Sequence, residues 1–137
     1  MKLYTSLLSH FARKARILLD SYSIPYEIID VGNVAEGEAE KFGNNPLLRV
    51  PVLVDGETWM IDSDHIAQYI VRKHDPTDQY QVLTHDTNDL NVRAVLNGIM
   101  SEEVTVIIAR RLSVPTDQYS FFDDALDAIK NGLAWLE

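Results

Sequence analysis

Two neighbouring segments have the residue types to hold a small anionic peptide. In the first, Asn45-Pro46 leads through Val50-Pro51 into a short apolar run, which ends at Asp55-Gly56. In the second, Asp62-Ser63 precedes a helical pattern. The free N–H groups at the start of a helix and the positive end of its dipole favour a carboxylate. The sequence therefore predicts a site of backbone donors and one hydroxyl around these segments.

The composition excludes several kinds of chemistry in this chain. With 137 residues and no cysteine, it has no disulfide, thiolate nucleophile or cysteine zinc site. The four histidines show no close ligand pairing, so we expect no metal site. The net charge of -9 argues against a nucleic-acid partner.

Length and hydropathy indicate an ordinary globular protein. The hydrophobic content of 46% is enough for a core, and no window approaches the ~18 apolar residues of a membrane span. The first residues read as a strand rather than as a signal peptide. We therefore expect a cytoplasmic protein without a membrane partner.

The first 76 residues alternate between strand and helix patterns. A strand over 2–5, a helix opened by Ser9 or His10 and a strand over 26–31 form a βαβ unit with parallel strands. A weaker helical pattern covers 34–43. Two short strands joined by Asp55-Gly56 then form a hairpin. Asp62 or Ser63 caps the next helix, which stops at Asp75-Pro76.

The rest of the chain is helical. Residues 77–86 are polar and turn-rich and predict a linker. Apolar residues then recur at helical spacing over 88–112 and again from Phe121 to Leu136. Two amphipathic helices make a poor closed domain by themselves, because each apolar stripe needs a cover.

Several motifs, taken in order, resemble the cytosolic glutathione transferase family, in particular serine-type bacterial members. The motifs are Met1-Lys2-Leu3-Tyr4, the run from Ser9 to Arg16, Ile24-Pro25-Tyr26-Glu27, Asn45-Pro46, Val50-Pro51-Val52-Leu53, and Asp62-Ser63 ahead of Ile66 and Tyr69. The resemblance implies an α/β thioredoxin-like domain (βαβ-α-ββ-α) over 1–76 that binds glutathione. It implies a linker over 77–86 and part of an all-α C-terminal domain over 87–137, truncated because family members continue for roughly another third.

The resemblance also implies how glutathione is held as a co-substrate. Pro51 is a cis proline in this family, and the Val50 backbone pairs with the cysteinyl part of the ligand like an added strand. Ser63 binds the γ-glutamyl carboxylate and Asp62 faces the γ-glutamyl amine. From the residues alone, Pro51 could instead start an edge strand and Ser63 could be a plain helix cap.

Ser9 is the catalytic residue that the resemblance implies. Family members place a Ser, Cys or Tyr near the end of the first strand, where it stabilises the glutathione thiolate. A helix N-cap is the alternative role for Ser9, and Tyr4 and Ser6 are weaker alternatives for the catalytic role. Phe11, His10 and Arg49 are weaker candidates for ligand contact. His10 stands where many relatives have proline. No basic residue in 31–40 is available for the glycyl carboxylate, and neither Lys41 nor the 13–16 cluster can be assigned to it.

Two functions follow from the resemblance. The first is a homodimeric glutathione transferase in detoxification, which activates the glutathione thiol for attack on an electrophilic small molecule. The second is a non-catalytic, stress-related binding or regulatory protein of the same fold, which the short helical part and His10 favour. The sequence does not identify the electrophile.

Overall fold

The computed structural model describes residues 1–34 and 36–137, which divide into two compact units, Met1–Leu83 and Thr84–Glu137. The elements of the first unit are β1 (Lys2–Thr5), α1 (His10–Ser21), β2 (Glu27–Asp30), a 3-10 helix (Ala39–Phe42), β3 (Val52–Asp55), β4 (Thr58–Ile61) and α2 (Ser63–His74). The elements of the second unit are α3 (Thr87–Arg111), a 3-10 turn (Thr116–Gln118) and α4 (Ser120–Leu136).

One four-stranded sheet organises the first unit, with the strand order β2-β1-β3-β4. β1 pairs with β2 in parallel, and β3 pairs with both β1 and β4 in antiparallel orientation. The βαβ unit and the Asp55-Gly56 hairpin that the sequence predicts are therefore confirmed. This sheet with its helices, followed by a helical region, is the predicted thioredoxin-like arrangement.

The core of the first unit lies between the sheet and the helices α1 and α2. Leu3, Leu53 and Met60 lie side by side on three neighbouring strands. The cluster they form with the helices consists of Leu3, Ala15, Leu18, Leu19, Leu53, Met60, Ile66, Ala67, Ile70 and Val71. Apolar burial of this extent is the main term that stabilises a small domain.

Polar ties connect α2 to its neighbours in the first unit. Asp64 near the start of α2 accepts a hydrogen bond from Lys14 of α1 at 2.6 Å. Asp55, at the end of β3, accepts from the Tyr69 hydroxyl at 2.8 Å and from the Lys73 ammonium. The donors Lys73 and Tyr69 lower the pKa of Asp55. These ties hold α2 against both α1 and the hairpin.

The helical pattern over 34–43 folds only in part. The structure has a 3-10 helix at Ala39–Phe42, ended by Gly43 in the left-handed conformation with φ 62°. Ala35, inside the predicted range, lies outside the described residues. Phe42 is the anchor of this segment, with 1% of its surface exposed.

The polar segment after α2 belongs to the first unit, which ends at Leu83 rather than at residue 76. The buried Asp75 carboxylate accepts hydrogen bonds from the Tyr22 hydroxyl, the Thr77 hydroxyl and N–H, and the Gln79 N–H. Asp78 accepts from the N–H groups of Val82 and Leu83, both at 2.7 Å. Turn-rich composition indicates a linker, but here the carboxylates fold the segment and Val82 and Leu83 pack on the core.

The pKa values of the hydrogen-bonded partners Tyr22 and Asp75 are shifted in opposite directions. Hydrogen bonds from Thr77 and Tyr22 hold the pKa of Asp75 far below its ordinary value. Burial and the neighbouring Asp75 carboxylate raise the pKa of Tyr22 to about 12. The structure therefore favours a charged Asp75 and a neutral Tyr22.

The second unit is a pair of helices, α3 and α4, in mutual contact. Asp86 caps α3 by accepting from the N–H groups of Asn88 and Asp89. The helices approach closely at Gly132, where an added Cβ would lie 2.8 Å from the Ile99 side chain. In the part of the chain that the structure describes, no helix is both long and apolar enough to cross a membrane.

Candidate functional site

The candidate residues lie beside the ends of three neighbouring strands, along one border of the sheet, which is called the edge below. Tyr4 of β1 pairs with Val52 of β3, and Val52 pairs with Ile61 of β4. In these antiparallel pairs, the end of β1, the start of β3 and the end of β4 meet at the same edge. Ser9 follows that end of β1, Val50-Pro51 precedes β3, and Asp62-Ser63 follow β4. Segments distant in sequence therefore converge on one side of the first unit.

The peptide bond between Val50 and Pro51 is cis. Pro51 is buried and Val50 is half-buried. Among residues 1–34 and 36–137, neither the N–H nor the C=O of Val50 has a hydrogen-bond partner. Because unpaired backbone groups bind readily to an added strand, Val50 offers a donor and an acceptor to an extended peptide.

Asp62 and Ser63 form the start of α2. The Asp62 carboxylate accepts from the N–H groups of Asp64 and His65 at 2.9 and 3.0 Å, as a helix cap does. The Ser63 N–H and hydroxyl have no hydrogen-bond partner among the described residues, and Ser63 is 3% exposed. The first N–H of α2 is therefore available to an anion, which the helix dipole would favour.

The backbone of Asp62 is strained. Its φ of 72° combines with a ψ of 129°, which lies outside the left-handed helical region that Asp tolerates. Such conformations cost ~1–3 kcal/mol and persist where the surrounding structure imposes them. Here the strain turns the chain sharply from β4 into α2 and places Ser63 at the edge described above.

Ser9 caps α1. Its Oγ accepts a hydrogen bond from the Ala12 N–H at 3.2 Å, and its own N–H donates to the Ser6 carbonyl at 2.9 Å. The cap role that the sequence leaves open is therefore present. It uses a lone pair of the hydroxyl oxygen and leaves the hydroxyl proton free to donate. A cap and a hydrogen bond to a ligand are compatible.

The weaker candidates differ in their surroundings. Phe11 and His10 are half-buried in the first turn of α1, and Arg49 is exposed. Tyr4 lies in β1, and Ser6 is buried with 8% exposure. The Lys41 ammonium donates to the carbonyls of Asn33 and Glu36, both at 2.8 Å, so it fastens its own loop.

Asn45 is a buried residue of this edge for which sequence reasoning gives no role. It is 2% exposed and bonds to both Leu47 and Arg49 in the loop before Val50. The available signal is the Asn-Pro dipeptide, which is typical of turns stabilised by the Asn side chain.

We find no group of three or more acidic or histidine side chains arranged to hold a metal ion among the described residues.

The chain belongs to the glutathione S-transferase family. The model of the glutathione S-transferase N-terminal domain matches residues 3–78, more than half of the chain. Glutathione S-transferase 4 of Zea mays is 32% identical over 79 residues, which covers 56% of this chain and 35% of that protein. The chain spans about a third of the length of this relative.

Two solved structures share the fold. A glutathione S-transferase of Methylobacterium radiotolerans, in complex with glutathione sulfonate, has a TM-score of 0.75 at 24% identity over 97% of this chain and 63% of its own. A glutathione S-transferase of Methylobacillus flagellatus with glutathione bound has the same TM-score and identity over 98% and 67%. These matches extend over both units and support the predicted fold.

Proposed function

We propose that this protein binds glutathione at the edge formed by Ser9, Val50-Pro51 and Asp62-Ser63, and activates its thiol. The observation that carries the proposal is the convergence of these segments, with unpaired backbone groups at Val50 and Ser63. It gains support from membership of the family and from the glutathione in a structure of the same fold. The glutathione-binding part of the chain is then the first unit, predicted from sequence as residues 1–76.

The cysteinyl and γ-glutamyl parts of glutathione each have a matching group in this proposal. The Val50 N–H and C=O pair with the cysteinyl unit, which lies antiparallel to residues 49–51 like an additional strand. The Ser63 N–H and hydroxyl bind the γ-glutamyl carboxylate at the start of α2. The Asp62 carboxylate has a second oxygen, Oδ2, beyond the one that caps α2, and this oxygen faces the γ-glutamyl amine. Phe11, His10 and Arg49 remain secondary candidates for contact.

Ser9 is the catalytic residue of this proposal. Its hydroxyl donates a hydrogen bond to the glutathione sulfur, which stabilises the thiolate and lowers the thiol pKa from about 8.5. The thiol loses its proton to solvent, and the thiolate then attacks an electrophilic small molecule, forming a carbon–sulfur bond as the leaving group departs with the bonding electron pair. The cap bond from Ala12 to Ser9 holds the oxygen in place during this step.

The wider context of the activity is also proposed from family membership. The protein acts as a homodimer in the cytoplasm, and its role is detoxification. Sedimentation of the purified chain with and without glutathione measures the dimer directly; a monomer in both conditions would contradict that part of the proposal.

Ser9 variants test the catalytic role. Ser9→Ala should lower the conjugation rate with a generic aryl halide on the order of 10²-fold, as for the loss of one donor to a developing anion, and raise the pKa of bound glutathione. Ser9→Thr keeps both the cap and the donor and should stay active. The thiolate is measured by its ultraviolet absorbance as a function of pH.

Ser9→Asp separates the cap from the catalytic role. Its carboxylate still accepts from the Ala12 N–H, so α1 should keep its stability, but it has no proton to donate to a thiolate. A Ser9→Asp protein as active as the wild type would exclude Ser9 as the thiolate partner. No thermal stabilisation of the wild type by millimolar glutathione would exclude the binding site itself.

A further inference from the structure

Asn45 is a buried polar residue in an irregular loop. An amide in such a position destabilises a protein unless it is hydrogen-bonded. Both polar atoms of its side chain have a partner: Nδ2 donates to the Arg49 carbonyl at 2.8 Å, and Oδ1 accepts from the Leu47 N–H at 3.0 Å. Its backbone N–H donates to Phe42 at 3.2 Å, and its carbonyl accepts from Leu48 at 3.0 Å. One side chain therefore spans the loop from residue 45 to residue 49.

The bond to Arg49 has a geometric consequence at Val50. The Arg49 carbonyl and the Val50 N–H belong to the same peptide group, which is planar and trans, so the two groups point in opposite directions. A donor that fixes the carbonyl oxygen also fixes the direction of the N–H on the opposite side of that plane. Asn45 lies on the carbonyl side, and the Val50 N–H has no partner among the described residues. The side chain of Asn45 thus leaves the N–H pointing away from its own loop.

We infer that Asn45 is a positioning residue for glutathione: its side-chain amide orients the Arg49–Val50 peptide so that Val50 presents its N–H to the ligand backbone. The inference rests on the proposed function and adds to it a residue that does not contact the ligand. The affinity for glutathione then depends on the Asn45 Nδ2 donor, which bonds to the Arg49 carbonyl on the side of the peptide opposite the Val50 N–H.

Asn45→Asp is the most selective variant. It keeps the shape and the oxygen that accepts from Leu47, but it replaces the Nδ2 donor with an oxygen that faces the Arg49 carbonyl. Asn45→Ser is a milder second variant, since its hydroxyl can still accept from Leu47 in a turn but is too short to bridge to Arg49. It adds no charge, so it keeps the test valid if Asn45→Asp does not fold.

Asp75→Asn is the matched control. Asp75 is another buried polar residue of the first unit, 8% exposed, with its side-chain bonds to Tyr22, Thr77 and Gln79. None of the bonds that the structure gives this side chain reaches the loop 43–51. The variant therefore lowers stability without acting on the Arg49–Val50 peptide.

The experiment measures the binding of glutathione and of S-methylglutathione to the full chain by calorimetry, together with thermal unfolding. Both Asn45 variants should weaken both ligands about tenfold, the order of one lost hydrogen bond. The thiol pKa of bound glutathione should stay unchanged, because the peptide contact does not involve the sulfur. Asp75→Asn should lower the unfolding temperature and leave both affinities unchanged.

Three results would overturn the inference, and they separate it from the proposed function. Wild-type affinity in both folded Asn45 variants would show that the peptide needs no such donor. An equal loss of affinity in Asp75→Asn would show that general stability, and not position, sets binding. Absence of glutathione binding in the wild type would instead remove the proposed function, and this role with it.

Discussion

The first and second units bury apolar side chains to very different extents. In the first, residues from three strands and two helices share one cluster, with Leu3, Leu53 and Ile70 fully buried. In the second, the buried apolar residues among those described are Val106, Ala109 and Ala125. Large apolar side chains that stay exposed in the second unit include Leu96, Leu112, Phe121, Leu133 and Trp135.

This difference in apolar burial determines which unit can hold backbone groups in fixed positions for a ligand. Backbone groups stay in position only when the elements beside them are fixed by packing. Val50 lies directly before β3 and Ser63 begins α2, and both of these elements contribute to the main cluster. In the second unit fewer apolar residues are buried among those described, and α3 begins at a local cap, Asp86. Substitutions in the two units should therefore have effects of different size.

The largest expected effect is a cavity in the first unit. Leu53→Ala should lower the free energy of unfolding by about 2–5 kcal/mol, because Leu53 is fully buried between neighbouring strands. Leu133→Ala removes the same atoms from a side chain that is 52% exposed and should cost less than about 0.5 kcal/mol. Urea unfolding followed by far-ultraviolet circular dichroism, which reports on helices of both units, measures both. Equal losses of unfolding free energy in the two variants would contradict the expected difference between the two units.

A smaller effect tests whether close packing extends to the loop that carries Val50. Gly43 has a φ of 62°, and an added Cβ would lie 3.0 Å from the Tyr4 ring. Gly56 has nearly the same φ, 61°, with nothing within 4 Å of that Cβ. Gly56→Ala should therefore pay only the left-handed backbone penalty, about 1–2 kcal/mol. Gly43→Ala should lose more unfolding free energy than Gly56→Ala, as measured by denaturant unfolding. An equal loss would mean that the Tyr4 ring moves aside without cost.

The smallest expected effect is pH-dependent and concerns Asp75. Its pKa is lower in the folded protein than the unfolded value of about 3.9, so its stabilisation is complete above that value and is lost as the pH falls through the folded pKa. Asp75→Asn keeps the shape and one acceptor oxygen. It should be less stable than the wild type at neutral pH, and the difference should narrow steadily as the pH falls below about 4. Thermal unfolding from pH 7 to pH 2 measures the gap, and a constant gap would contradict the assignment.

Much of the first unit can be predicted from sequence because its signals are local. The hairpin follows from Asp55-Gly56, and the parallel pairing of β1 and β2 follows from the helix between them. The meeting of Ser9, Val50 and Ser63 follows from the family resemblance and not from any local pattern. The roles of these residues remain predictions.

Other features depend on contacts between distant residues and cannot be read from local patterns. The segment after His74 looks like a linker because its residues are polar, yet two carboxylates fold it onto the core. Asn45 reads as an ordinary turn residue, because its burial is set by the surrounding fold. Helical spacing over 34–43 gives only a short 3-10 helix at Ala39–Phe42, because Gly37, inside that range, has a φ of 127°, which no right-handed helix allows.

The folded segment from Asp75 to Leu83 has a consequence for how the protein can be divided. A cut at Pro76 would remove Thr77 and Gln79, which donate hydrogen bonds to the Asp75 carboxylate, and would remove Val82 and Leu83 from the core. A protease should therefore spare most of this polar stretch, even though its composition suggests an easy target, and cleave first beyond Leu83. We therefore expect a fragment that keeps the candidate site folded to extend to Leu83.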